Sequence, residues 1–164
     1  MGDKSEPMIV EKGTYKVIKG KGLLESESLG SCVAVAALDK KAQVGGLWIF
    51  VLPASKILST SNNGTEPTFF ADEGLDKFLA ALEENGADLE NLRIVVVGGA
   101  RFLEAPTVFD LGGLNASMIR KLFKDKGISG YEERLGGPFP RRVSLDLSTG
   151  KIVIKSSEEE EESW

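Results

Sequence analysis

Cys32 is the residue of this sequence best suited to covalent chemistry, and it is the only cysteine in the chain. It lies between two small residues, Gly30 and Ser31, and an apolar run that begins at Val33. A cysteine attacks a carbonyl carbon as its thiolate, so it needs a lowered pKa or a neighbouring base. The structural alternative is that a free cysteine in an apolar strand is a small buried hydrophobic residue. Which role applies depends on the group that would take the proton of Cys32.

The 164-residue chain contains no histidine at all. This absence removes the usual general base at neutral pH and also the commonest metal ligand in proteins. With a single cysteine besides, the sequence cannot supply the ligand set of a structural zinc site. We therefore expect no metal and no other cofactor.

Two apolar runs, residues 31–39 and 44–52, flank a short polar stretch and predict a β-hairpin. If Lys40 and Lys41 are its two turn residues, Cys32 falls directly opposite Ile49. Side chains directly opposite each other have Cβ atoms about 4.5–5.5 Å apart, a distance that an imidazole would bridge. Isoleucine cannot accept a proton, so this register offers Cys32 no base.

The overall charge and composition exclude several classes of protein. A net charge of −5 and a pI near 5.0 argue against nucleic acid as a partner, because phosphate binding needs a clustered basic surface. No apolar stretch is long enough for membrane insertion, and the sequence shows no secretory signal pattern. A single cysteine also suits the reducing cytoplasm, which is the expected location.

The hydrophobic periodicity predicts one α/β (α+β) domain, with a mixed β-sheet flanked by two main helices in a layered fold. The predicted strands cover residues 13–20, 31–39, 44–52, 92–97, 142–147 and 151–155, and the predicted helices cover 72–85 and about 114–126. Residues 1–12 are expected to be an N-terminal extension and residues 13–155 the domain. Residues 156–164, which include an unbroken run of five glutamates, are expected to form a disordered acidic tail.

Several of these segments, in this order, resemble the CheD family of chemoreceptor glutamine deamidases of bacterial and archaeal chemotaxis. The resembling segments are LGSCVAV (29–35), VGGLWIFVLP (44–53), FADEGLDKFLAALEENGA (70–87), VVGGARFL (96–103), DLGGLNASMIRKLFKDKGI (110–128) and GGPFPRRVSLDLSTGKIVIK (136–155). The ordered set covers most of the chain, from about residue 13 to residue 155.

The resemblance implies a layered cysteine-hydrolase scaffold that converts receptor glutamine side chains to glutamate. It places the catalytic cysteine at Cys32, the active-site threonine at Ser26 and the catalytic histidine at Ile49. A further family asparagine falls on Asn115, whereas Pro138 stands where the last loop usually has an asparagine. The nucleophile position and a hydroxyl are thus retained, and the base is not.

The leading hypothesis is a CheD-like chemotaxis protein of impaired activity, which acts by binding chemoreceptor cytoplasmic helices or a CheC-like phosphatase. The alternative is an active deamidase in which Cys32 uses a replacement base. Glu25, Glu27 and Asp72 are candidates for that base, although carboxylates with a pKa near 4 are poorly suited to thiol activation. A third hypothesis is a cysteine-containing domain unrelated to chemotaxis, which would have no affinity for receptor helices.

Overall fold

The computed structural model describes residues 6–57, 65–101, 110–156 and 160–164, and these residues form strands, two α-helices and short 3₁₀ helices. The strands are β1 (Pro7–Val10), β2 (Tyr15–Lys19), β3 (Leu23–Ser26), β4 (Val33–Asp39), β5 (Val44–Phe50), β6 (Arg93–Gly98), β7 (Glu132–Leu135), β8 (Arg142–Asp146), β9 (Lys151–Lys155) and β10 (Glu162–Ser163). The helices are α1 (Ala71–Glu84) and α2 (Leu111–Lys126), and the 3₁₀ helices are Ser55–Ile57, Pro67–Phe69 and Leu89–Asn91.

The strands form two five-stranded sheets rather than one. The first sheet has the order β1-β3-β8-β9-β10, and the second has the order β2-β5-β4-β6-β7. Both are mixed, because β1 runs parallel to β3 and β6 runs parallel to β7. One face of the second sheet packs on the first sheet, and the other face packs on the helices. The predicted α+β class is therefore confirmed, with a second sheet as an additional layer.

The β4–β5 hairpin is present, but its register differs from the predicted one by two residues. Ile49 lies opposite Ala34, because the connecting turn has four residues and ends at Gln43, which has a φ of 55°. The Asp39 carboxylate stabilises this longer turn by accepting the N–H of Ala42 at 3.0 Å. A shift of two residues leaves every side chain on its original face of the sheet. The predicted face of Ile49 is thus correct, and its predicted partner is wrong.

Both predicted helices are present, with small differences at their starts. Helix α1 begins at Ala71, one residue before the predicted start, with Phe70 at the N-cap position, so Asp72 lies in the first turn. Helix α2 begins at Leu111 because the carboxylate of Asp110 accepts the N–H of Gly113 at 3.0 Å. It ends at Lys126, as predicted, and is followed by Gly127, whose φ of 73° is the left-handed value typical of a C-terminal glycine.

The two chain ends contribute to the first sheet. Strand β1 lies within the expected N-terminal extension, and β10 lies within the expected acidic tail, where it pairs with β9. Trp164 donates to and accepts from the backbone of Ile152 at 2.8 Å, and its ring packs against the core. Aromatic and backbone contacts thus hold residues 162–164 in place despite the adjacent glutamates. The sequence between the predicted hairpin and helix α1, rich in Ser, Asn, Thr, Gly and Pro over residues 54–68, is typical of an exposed loop, and its residues 58–64 lie outside the described residues. So do residues 102–103 of the resembling segment 96–103, residues 1–5 of the extension and residues 157–159 of the tail.

Candidate functional site

Cys32 immediately precedes β4, at the open end of the hairpin, and is buried with 5% of its surface exposed. It belongs to the apolar cluster between the two sheets. The neighbours in this cluster include Leu24, Leu29, Ile49 and Val143. The thiol therefore lies in the sheet–sheet layer, on the opposite face of the second sheet from the helices.

The backbone on either side of Cys32 is held by the chain that follows β6. The N–H of Ala100 donates to the carbonyl of Gly30 at 2.8 Å, and the N–H of Gly99 donates to the carbonyl of Cys32 at 2.9 Å. Gly98 makes this close approach possible, because a Cβ at this position would lie 2.2 Å from the Cys32 carbonyl oxygen. The Gly-Gly-Ala segment is thus packed directly against the cysteine backbone.

Asn115 holds the same backbone from the helix side. Its side chain is fully buried, and its Nδ2 donates to the carbonyl of Ser31 and to the carbonyl of Val51, each at 2.9 Å. Its Oδ1 is buried and has no partner among the described residues. Asn115 was singled out in the sequence only through the family resemblance. A polar residue at an inward position of an amphipathic helix was the physical signal of its role.

The electrostatic environment of Cys32 disfavours its thiolate. Burial raises the pKa of the thiol, and the Lys12 charge and the N–H of Cys32 itself offset this increase only in part. Lys12 lies in a turn that is bonded to β5. The N–H of Gly13 donates to the Ile49 carbonyl at 2.7 Å, and the N–H of Ile49 donates to the Thr14 carbonyl at 3.0 Å. Lys12, whose charge lowers the pKa of the Cys32 thiol, is therefore next in sequence to a residue that is hydrogen-bonded to the backbone of Ile49.

Ile49 is buried and belongs to the same cluster as Cys32. Ile49 lies opposite Ala34. If the same register is continued by two residues, Val51 lies opposite Cys32, so Ile49 is a diagonal neighbour of Cys32. The structure thus brings the two positions together on one face, although they are not directly opposite. An aliphatic side chain in this place supplies neither a base for the thiol nor a charge for the thiolate.

Ser26 ends β3 on the same face as Leu24, which packs in the cluster that holds Cys32. The Ser26 hydroxyl oxygen accepts the N–H of Val143 at 3.0 Å, and the side chain is buried. Its hydroxyl proton has no acceptor among the described residues and is available for donation. Ser26 is therefore placed in the layer of the thiol, where it is anchored through its oxygen.

The three carboxylates considered as replacement bases lie elsewhere. Glu25 points to the opposite face of β3 from Ser26, Glu27 is exposed, and Asp72 is in the first turn of α1. Lys12 is the side chain whose charge changes the pKa of Cys32. Within the described part of the chain, no group of three metal-ligating side chains is found.

The fold and the site define a layered α+β protein in which a hairpin and a glycine-rich segment hold one buried cysteine between two sheets. The family model for CheD chemotactic sensory transduction matches residues 51–156, and the chain belongs to the CheD family. This match begins after Cys32 and Ile49, whereas the similar full-length proteins extend across them.

Three such proteins illustrate the similarity. The chain is 36% identical to a probable chemoreceptor glutamine deamidase CheD 1 of Syntrophus aciditrophicus over 158 residues, which cover 96% of each chain. It is 33% identical to a probable chemoreceptor glutamine deamidase CheD of Archaeoglobus fulgidus, covering 92% of this chain and 93% of the other. It is 31% identical to the chemoreceptor glutamine deamidase CheD of Thermotoga maritima, covering 90% of each. None of the helices in the described residues has the length and hydrophobicity needed to cross a membrane.

Proposed function

We propose that this CheD-family protein acts in chemotaxis chiefly by binding, and that its deamidase activity is impaired. Its partners are the cytoplasmic helices of chemoreceptors or a CheC-like phosphatase, which places it in the cytoplasm. The observation that carries the proposal is a buried Cys32 thiol of raised pKa with Ile49 as its diagonal neighbour. Loss of general acid–base help typically costs about 10²–10⁴ in rate, and more where the same group makes the nucleophile.

Exposed apolar side chains near the cysteine support a binding role. Leu114 is 53% exposed and directly precedes Asn115, while Phe139 is 36% exposed. Phe139 lies two residues after Gly137, whose carbonyl accepts the N–H of Arg101 at 2.8 Å, next to the Gly-Gly-Ala segment. Large exposed apolar residues are typical of protein–protein contact surfaces.

The catalytic part of the proposal is tested by mass spectrometry on purified chemoreceptor cytoplasmic domains that carry glutamine at candidate sites. We expect no conversion of glutamine to glutamate by the natural protein or by Cys32→Ser, and conversion by Ile49→His. Leu47→His is the matched control, because Leu47 lies on the same strand and face but two residues further from the thiol. Conversion by the natural protein that is lost in Cys32→Ser would contradict the proposal.

The binding part is tested by measuring the affinity of the same receptor domains, and of a CheC-like phosphatase, for the natural protein and for surface variants. We expect Leu114→Asp and Phe139→Ser each to weaken binding by about tenfold, which is typical of an apolar contact residue. Met8→Asp is the control, because Met8 is also exposed and apolar but lies on β1 of the first sheet. Unchanged affinity in both site variants would place the contact surface elsewhere.

An active deamidase is the second candidate function, and Lys12 is the observation that favours it. Its ammonium group stabilises the thiolate of Cys32. Stabilising the thiolate is one of the two roles of the absent histidine, and a cation can fulfil it. In this case the natural protein converts glutamine, and Lys12→Met loses the conversion together with Cys32→Ser. The same mass-spectrometric assay therefore separates the two functions.

A further inference from the structure

We infer that Asn115 is a positioning residue for Cys32. Its side-chain amide fixes the peptide group between Ser31 and Cys32 and, with it, the direction of the N–H of Cys32. The inference rests on the proposed function only in taking Cys32 as the reactive position of the site.

The direction of the N–H follows from the geometry of the peptide bond. In a planar trans peptide the carbonyl oxygen and the amide hydrogen point in opposite directions. The carbonyl of Ser31 is held by the side-chain amide of Asn115. The N–H of Cys32 therefore points away from this amide. The N–H of Cys32 is also one of the groups that lower the pKa of its own thiol.

The same amide group also holds the neighbouring strand. Its second bond is to the carbonyl of Val51, the residue that the register sets against Cys32. One side chain thus joins the two strand ends at the open end of the hairpin, where no turn restrains them. Val51 packs against the cluster that contains the thiol, so the bond also fixes one wall around Cys32.

The polar character of Asn115 argues that this residue positions the backbone and does not simply fill space in the core. Burial of Oδ1 of Asn115 without a partner costs free energy, which a leucine of similar volume would not incur. The helix can approach this closely because residue 112 is glycine, where a Cβ would lie 2.3 Å from the Ala100 carbonyl oxygen. A buried unpaired oxygen and a glycine in the first turn of α2 both lower the stability of the fold. They accompany two hydrogen bonds from Asn115 to the backbone beside Cys32.

The test is the pH dependence of Cys32 alkylation by iodoacetamide, which needs neither a partner protein nor catalysis. Asn115→Leu removes both bonds without adding charge. We expect its alkylation midpoint to rise by about half to one pH unit, because the N–H of Cys32, which lowers the pKa of the thiol, is no longer held in place. Well below the midpoint, this is a loss of about three- to tenfold in rate. Asn85→Leu is the control, because Asn85 Nδ2 also donates to a backbone carbonyl, that of Ala81 at 2.8 Å, away from the cysteine.

A profile of Asn115→Leu that matches those of the natural protein and Asn85→Leu overturns the inference. If Asn115→Leu does not fold, the natural protein still decides through NMR. Two hydrogen-bonded protons on Nδ2 of Asn115 predict slow exchange of both with solvent, and rapid exchange of both contradicts the bonds. A protein that binds no receptor but shows the shifted profile would refute the proposed function and leave the role of Asn115 standing.

Discussion

Cys32 and Ile49 share one face of the β4–β5 hairpin and one buried cluster, but they are diagonal rather than direct neighbours. Diagonal positions across an antiparallel pair are about 7–8 Å apart, which a long or aromatic side chain can still bridge. Position 49 is therefore a place from which a ring nitrogen would reach the thiol. The isoleucine found there leaves the cysteine in apolar surroundings.

Ile49→His is expected to make Cys32 more reactive. A protonated imidazole beside the thiol favours the thiolate, so the pKa of Cys32 should fall from its raised value. Iodoacetamide alkylation at neutral pH should then be about tenfold or more faster than in the natural protein. The measurement is the alkylation rate between pH 5 and pH 10, followed by mass spectrometry.

Leu47→His carries an equally buried imidazole on the same face, two residues further along β5 from Cys32. We expect it to be destabilised like Ile49→His, because an imidazole replaces an apolar side chain in the core. Its alkylation profile should nevertheless match that of the natural protein. Equal acceleration in both variants would show that loosened packing, and not the histidine at position 49, exposes the thiol.

Lys12→Met should have the opposite effect on the thiol. Removal of the ammonium charge takes away a cause that lowers the pKa of Cys32, so the pKa should rise further. Alkylation at neutral pH should slow, and the difference from the natural protein should shrink at high salt, because Lys12 is exposed. Lys16→Met is the control, since Lys16 is an exposed lysine of the adjoining strand β2. Equal slowing in both variants would indicate a general effect of net charge.

Local sequence patterns were sufficient to predict much of the fold. The apolar stripe of α1, with Leu75, Phe78 and Leu82 buried, repeats at helical spacing within a single segment. The β8–β9 hairpin joins two neighbouring strands through a short turn that contains Gly150. Such elements are determined by residues close in sequence, so no knowledge of distant contacts is needed.

The missed features depend on contacts between distant segments. Strand β1 has three exposed residues and one buried residue, Val10, so it shows no alternating pattern, and it forms by pairing in parallel with β3. The hairpin register depends on Asp39, the last residue of β4, whose side chain binds the turn and which a count of apolar residues does not include. The bond from Asn115 to Ser31 joins residues 84 positions apart, and its geometry is a property of the packed layers.

Asp39→Asn is expected to destabilise the protein. Burial by itself raises the pKa of this carboxyl, but backbone N–H groups, including those of Asp88 and Ala42, outweigh it and hold the pKa below its usual range. These bonds join the hairpin turn to the segment before β6. The side-chain amide of asparagine can accept only one of these two backbone N–H groups through its oxygen, and its NH₂ group faces the other N–H. We therefore expect a loss of about 1–3 kcal/mol in the free energy of unfolding at pH 7. Urea unfolding measures it.

The control for this change is Asp146→Asn, because the Asp146 carboxylate also accepts a turn N–H, that of Ser148 at 2.9 Å, but in an exposed turn. Asp146→Asn should lower the free energy of unfolding by less, because water replaces the lost hydrogen bond in an exposed turn. A lowered carboxyl pKa stabilises the folded state above the ordinary value of about 3.9, and this contribution disappears as pH falls through the folded value. The difference in the free energy of unfolding between Asp39→Asn and the natural protein should therefore become smaller in acid. A difference that does not depend on pH would contradict the stabilising role assigned to the ionised Asp39 carboxylate.

Glu162→Gln tests whether the chain end is held to the edge of the second sheet. Arg134 of β7 donates to both carboxylate oxygens of Glu162, at 2.6 and 3.0 Å, and its guanidinium lies 5.0 Å from the ring centre of Trp164. These contacts join β7 of the second sheet to β10 of the first. The hydrogen bonds from Arg134 hold the pKa of Glu162 below its usual range, although burial partly opposes them.

Because the folded pKa of Glu162 is lowered, its contribution to stability is complete above the ordinary value of about 4.3 and is lost as pH falls through the folded value. Both side chains are about a third exposed, at 34% and 36%, so solvent screening limits the pair to about 0.2–1 kcal/mol. We expect Glu162→Gln to lower Tm by less than about 4 °C at pH 7, with a difference that shrinks in acid. Glu160→Gln, a change of an exposed glutamate in the same segment, should leave Tm unchanged. Equal shifts in both variants would mean that total charge, and not the contact with Arg134, holds the chain end in place.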